Sequence, residues 1–114
     1  MCKKTNYNLT AIKNVSKNKP ELFNNMIYLF IDNSTNELKN LEKNILDKNT
    51  ENVRTTIHKI KPSFAYLGLS ELIDDLNNLR DSVINKNTEL SLKLLNEFKT
   101  NLNKIIDKLK TEII

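Results

Sequence analysis

The chain has 114 residues, with 18 basic and 14 acidic side chains and a formal charge of +4. That length suits one domain with its own hydrophobic core. With one His, one Cys and one Gly, an internal disulfide, a zinc site of several His/Cys ligands and a glycine-rich phosphate cradle are all excluded. ATP binding is therefore not expected, and no cofactor of the chain's own is implied. Ser-His-Asp catalysis lacks its nucleophile elbow and its glycine-rich oxyanion loop. The lone Cys2 stands in a polar N-terminal stretch and points to a reducing compartment. Only Met1 precedes it, so a lipid-anchored cysteine is not expected. Lys3 and Lys4 are followed by polar residues rather than an apolar leader. The longest apolar run, residues 26–31, falls well short of the ~20 residues a membrane helix needs. A soluble cytoplasmic protein is expected, and the starting Met favours a free-standing one. The lysines are scattered among acids without interleaved aromatics, so neither nucleic acid nor a membrane is the expected partner. A mild positive field suits an acidic protein instead.

Residues 1–8 read as a flexible tail and residues 9–114 as one helical domain. Few Gly and Pro residues and pervasive 3.6-residue periodicity predict an all-α fold. Leu9, Ile12 and Val15 mark a short first helix. Asn18 and Glu21 have capping-box spacing, and Pro20 suits a first turn. A long second helix then carries Phe23, Met26, Ile27, Phe30, Leu38, Leu41 and Ile45 to about Asp47. Asn49 is the predicted cap of a third helix with the stripe Val53, Ile57, Ile60, Phe64 and Leu67, stopped by Gly68. Ser70 is the predicted cap of a fourth, with Glu71, Asp74 and Asp75 near the positive end of its dipole and the stripe Leu72, Ile73, Leu76, Leu79 and Val83. The tract Asn85-Lys86-Asn87-Thr88 separates it from a fifth helix bearing Leu95, Phe98, Leu102, Ile105 and Leu109. This pattern predicts an antiparallel four-helix bundle with a short additional N-terminal helix.

His58 lies on the third helix. With the apolar stripe centred at 0°, His58 falls at about 140°, Lys61 near 80°, Arg54 near 100°, Ala65 near 120° and Pro62 near 180°. The imidazole is thus expected on the exposed face, between two cations and two compact side chains. Lys59 points about 100° away from it. Pro62 removes a backbone donor inside a helix. Because Phe64 and Leu67 continue the stripe in register, the helix is expected to run through it with a kink. A neutral imidazole is a good nucleophile near neutral pH, and a cation one turn away can neutralise part of the charge of a phosphorylated ring.

The segment His58-Lys-Ile-Lys61-Pro62, followed by Leu67-Gly68, resembles the phosphoacceptor stretch of histidine-containing phosphotransfer (HPt) domains. In that family the acceptor His is followed three residues later by Lys, then by a small residue or Pro. A Leu-Gly pair closes the helix. The five-helix pattern is also similar, so the resemblance covers roughly Leu9 to Leu109. It implies a phosphocarrier in a two-component phosphorelay, with His58 as phosphoacceptor and Lys61 stabilising phosphoryl charge. The partners implied are receiver domains of response regulators or hybrid histidine kinases, which would bring the magnesium ion. Receiver docking is expected around Arg54, Lys59, Pro62 and Ala65, and on the first helices at Ile12, Val15 and Met26. Each of those three apolar residues has a competing reading as bundle core. Two positions depart from the family pattern. Pro62 stands where Gly is common, and Arg80 stands where Gln or Glu is usual. Guanidinium has donors only, so Arg80 is expected either to meet the phosphoryl oxygens or to turn outward to Asp81 or Asp75. Asn77, one turn earlier, could supply an acceptor to the ring.

The sequence is also compatible with two rival readings. One is a non-catalytic helical-bundle adaptor in which His58 is incidental. The other is the dimerising phosphoacceptor hairpin of a sensor kinase, against which Lys59 and the five-helix pattern count. The relay reading predicts a monomer.

Overall fold

A computed structural model of the chain describes residues 7–17 and 19–112, and the described residues are helical apart from short connections. Five helices follow in order: α1 Thr10–Ser16, α2 Pro20–Leu46, α3 Thr50–Tyr66, α4 Ser70–Ile84 and α5 Thr88–Glu112. Each long helix packs on its successor, α2 packs also on α5, and α1 packs on α2. No described helix is long and apolar enough to cross a membrane.

The predicted stripes form the core. Ile27, Leu41, Val53, Ile57, Phe64, Leu72, Leu76, Leu79, Phe98, Leu102, Ile105 and Leu109 are all at most 1 % exposed. Phe64 meets Phe30 edge-on at 5.2 Å between ring centroids and stacks on Phe98 at 5.8 Å. One α3 side chain thereby joins α2 to α5. Burying a side chain of this size is worth about 1.5–3 kcal/mol, so these contacts hold α3 in a fixed rotation. Ile31 is buried beside Phe30 although it lies outside the predicted α2 stripe. The apolar arc of α2 is wide because α1, α3 and α5 all pack on that helix.

Three-residue turns join the long helices, and all three use the same device. At the end of α3, Gly68 has φ 67°. Its N–H donates to the Ala65 carbonyl, and that of Leu69 donates to the Phe64 carbonyl, both at 3.0 Å. This is the Schellman pattern, which satisfies carbonyls that the helix end leaves free. After α2, the same two bonds run from Lys48 to Ile45 and from Asn49 to Asn44. After α4, they run from Lys86 to Val83 and from Asn87 to Ser82. Lys48 and Lys86 occupy the left-handed position at φ 58° and 59°. Asn49 and Asn87 finish one helix and start the next, since their side-chain oxygens accept from the N–H groups of Asn52 and Leu90.

The expected cap at Ser70 is displaced by one residue. Leu69 is the N-cap of α4, it makes no side-chain cap bond, and Ser70 is already helical. The cause is Leu69 itself, only 2 % exposed: seating it in the core and closing the Schellman turn onto Phe64 sets where α4 begins. The capping role expected of Asn18 lies outside the described residues. Lys19 is the N-cap of α2, with Pro20 in its first turn.

Of the expected tail, residues 1–6 lie outside the described residues. Tyr7 packs against the core, its hydroxyl donates to Glu112 Oε1 at 2.6 Å, and the Lys108 ammonium lies 5.1 Å from its ring centroid. Burial, reinforced by the Glu112 carboxylate, pushes the Tyr7 phenol up to about 12. The Asn8 N–H donates to the Leu67 carbonyl at 2.7 Å. A Cβ on Gly68 would lie 2.6 Å from the Asn8 Cβ and 3.0 Å from its backbone nitrogen. Gly68 is therefore required twice, for its positive φ and for the close approach of this segment.

Candidate functional site

Asn49 starts α3 and Gly68 stops it, and the burial of Val53, Ile57, Ile60 and Phe64 fixes which face turns outward. α3 continues across Pro62 to Tyr66, as its stripe predicts. The outward face carries Arg54, His58, Pro62 and Ala65, all exposed, with Lys61 half-buried at its edge. This matches the wheel order, in which Lys61 stands nearest the stripe.

Glu51, Arg54, Thr55, Ile57, His58 and Lys61 of α3, with Arg80 of α4, line an open hollow of about 310 Å³. Among the described residues no side chain or backbone group hydrogen-bonds to the His58 imidazole. Both ring nitrogens are thus free to approach a partner. Three cations line the same hollow as the ring. Arg54 lies 3.9 Å from Glu51, a loose pair between exposed groups. The Lys61 ammonium donates to Asn77 Oδ1 across the α3/α4 seam at 3.0 Å. Arg80 donates to Asp81 Oδ1 from Nε at 3.3 Å and Nη2 at 3.2 Å, and from Nη1 to Asn77 Oδ1 at 3.4 Å.

The expected residues divide accordingly. Arg54, His58, Lys61 and Arg80 come together around one hollow. Pro62 and Ala65 stay on the same helix face without lining it. Lys59 turns away and pairs with Glu37 of α2 at 3.2 Å. Ile12 is 3 % exposed and belongs to the core, so it offers no surface for docking, whereas Val15 on the same helix is 49 % exposed. Met26 is partly buried against the core. Arg80 lines the hollow and pairs with Asp81, the neighbouring acid of the outward orientation expected of it. The Asn77 oxygen receives Lys61 and Arg80 and not the ring. Thr55 and Glu51 join the site unforeseen, although their spacing of three and seven residues before His58 places them on its side of the helix.

No family model, curated protein or solved structure matches the chain.

Proposed function

We propose that the chain is a histidine phosphotransfer module that relays a phosphoryl group between receiver-domain aspartates through His58. The observation that carries this reading is the exposed imidazole, with no hydrogen-bonding partner among the described residues, in a hollow whose other polar groups are mainly cationic. A ring nitrogen lone pair forms the N–P bond as the aspartyl O–P bond breaks, and the aspartate leaves as a carboxylate with the electron pair. The second nitrogen keeps its proton during the transfer. Arg54, Lys61 and Arg80 supply positive charge where about two negative charges arrive. Phosphoryl transfer depends on positioning and electrostatics more than on covalent chemistry by the protein. A fixed nucleophile beside cations is therefore a sufficient contribution from this partner. The receiver supplies the acyl phosphate and the magnesium ion.

The same reading takes α2–α5 as an antiparallel four-helix bundle. Three-residue turns return each helix along its predecessor, and the contact of α2 with α5 closes the set. Such a module works as a cytoplasmic monomer. Its receiver would approach the outward face of α3, with Val15 available on α1.

The test is to supply labelled phosphate in two forms. Label should reach the chain from a phosphorylated receiver with magnesium and should not reach it from ATP alone. The product should be acid-labile and base-stable, as a phosphoramidate is. Labelling by ATP alone, or an acid-stable product, contradicts the proposal.

A further inference from the structure

We propose that Asn77 is a positioning residue whose side-chain carbonyl holds Lys61 and Arg80 together at the His58 hollow. The functional half of this inference rests on the phosphotransfer reading, and the geometric half does not. Lys61 sits one turn after His58, but a lysine stem has several rotatable bonds and its ammonium is strongly hydrated. Sequence spacing alone does not keep that charge near the ring. The Asn77 Oδ1 contact at 3.0 Å draws the ammonium across the seam onto α4. The same oxygen accepts from Arg80 Nη1 at 3.4 Å, and an amide oxygen has lone pairs for both donors.

Two cations sharing one neutral oxygen repel each other. Asp81 offsets this by receiving Arg80 through two nitrogens. The division of labour is chemical. Asp81 balances the second charge on the exposed side of Arg80, while Asn77 orients both cations without cancelling either. A carboxylate at position 77 would grip the cations more tightly yet neutralise the field that a phosphorylated imidazole needs. The Lys61 ammonium has three N–H donors and gives one to Asn77. The others remain for phosphoryl oxygens.

Asn77→Ala and Asn77→Asp separate orientation from charge. In the unphosphorylated protein, brief acetylation read by mass spectrometry reports how freely each lysine ammonium is exposed. Asn77→Ala should raise Lys61 labelling by about threefold relative to the exposed Lys93, the scale of one lost hydrogen bond. Asn77→Asp should leave it equal or lower. After loading from a phosphorylated receiver, both variants should show a shortened phosphohistidine half-life, one through lost orientation and the other through lost charge. A merely structural Asn77 would change unfolding and leave the Lys61-to-Lys93 ratio as it was. An unchanged ratio in folded Asn77→Ala overturns the positioning role, whatever the phosphorylation result. If Asn77→Ala does not fold, wild-type Lys61 labelled as fast as Lys93 overturns it equally. A shifted ratio with wild-type half-lives in both variants overturns the functional half. A wild-type protein that never loads phosphate refutes the phosphotransfer reading instead, and the labelling ratio still decides the geometry.

Discussion

The two faces of α3 differ in what their residues cost the fold. Val53, Ile57 and Phe64 are at most 1 % exposed, and each contributes on the scale of about 1.5–3 kcal/mol of apolar burial. Arg54, His58, Pro62 and Ala65, interleaved with them in sequence, are exposed. The loose ion pair of Arg54 with Glu51 is of the kind worth about 0–1 kcal/mol. The helix thus separates scaffold from chemistry at single-residue spacing. Burial on one side fixes the rotation that presents His58 on the other, so the site can be altered without unfolding its support.

That separation can be broken most severely at Phe64. Phe64→Ala removes the ring joining Phe30 to Phe98 and should cost about 3–5 kcal/mol, read as a lowered urea midpoint. Gly68→Ala comes next, at about 1–2 kcal/mol for the left-handed backbone alone, with the Asn8 collision added. The other two turns sharpen the comparison in the opposite direction. Lys48 and Lys86 hold the position that Gly68 holds, so Lys48→Gly and Lys86→Gly should each stabilise by up to about 1 kcal/mol in the same assay. Across the hollow on α4, Arg80→Gln loses bonds to Asn77 and Asp81 and should move stability by no more than about 1 kcal/mol while shortening the phosphohistidine half-life. Lys61→Ala should act likewise on the half-life and slow transfer. Its bond to Asn77 sets a similar allowance on stability, about 1 kcal/mol. A large loss of stability at Lys61 or Arg80, or none at Phe64, would dissolve the contrast between the faces.

Much of the scaffold was legible because the relevant signals are periodic. Twenty-seven residues of α2 carry one apolar stripe, and the end near Asp47, the Asn49 cap and the Gly68 stop all stand where local chemistry places them. Continuation of α3 through Pro62 was legible for the same reason: Phe64 stays in register with Ile60 and Ile57. Signals that depend on partners in space were not. Leu69 displaced the Ser70 cap because its burial outweighed a hydroxyl's preference for the cap position. Lys48 and Lys86 give no sign in sequence of a left-handed turn, since lysine has no special freedom there. At the site, spacing and wheel angle placed Arg54, His58 and Lys61 on one face. The helix wheel could not assign the Asn77 oxygen, because hydrogen bonds at its end depend on how α4 lies against α3. Ile12 and Val15 share one short helix, and periodicity left both open; packing on α2 buried the first and exposed the second.

The central claim is that the outward face of α3 exists to present the His58 imidazole to a phosphoryl donor. Its most direct test is a time course of label passing from a phosphorylated receiver to the wild-type chain and to His58→Gln. His58→Gln should unfold like wild type, because its side chain replaces an exposed one without disturbing the buried face. The account predicts label on the wild-type chain, none on folded His58→Gln, and discharge of the wild-type label to an unphosphorylated receiver. Label on His58→Gln at the wild-type rate, or a wild-type chain that never takes label from any receiver offered, would contradict it.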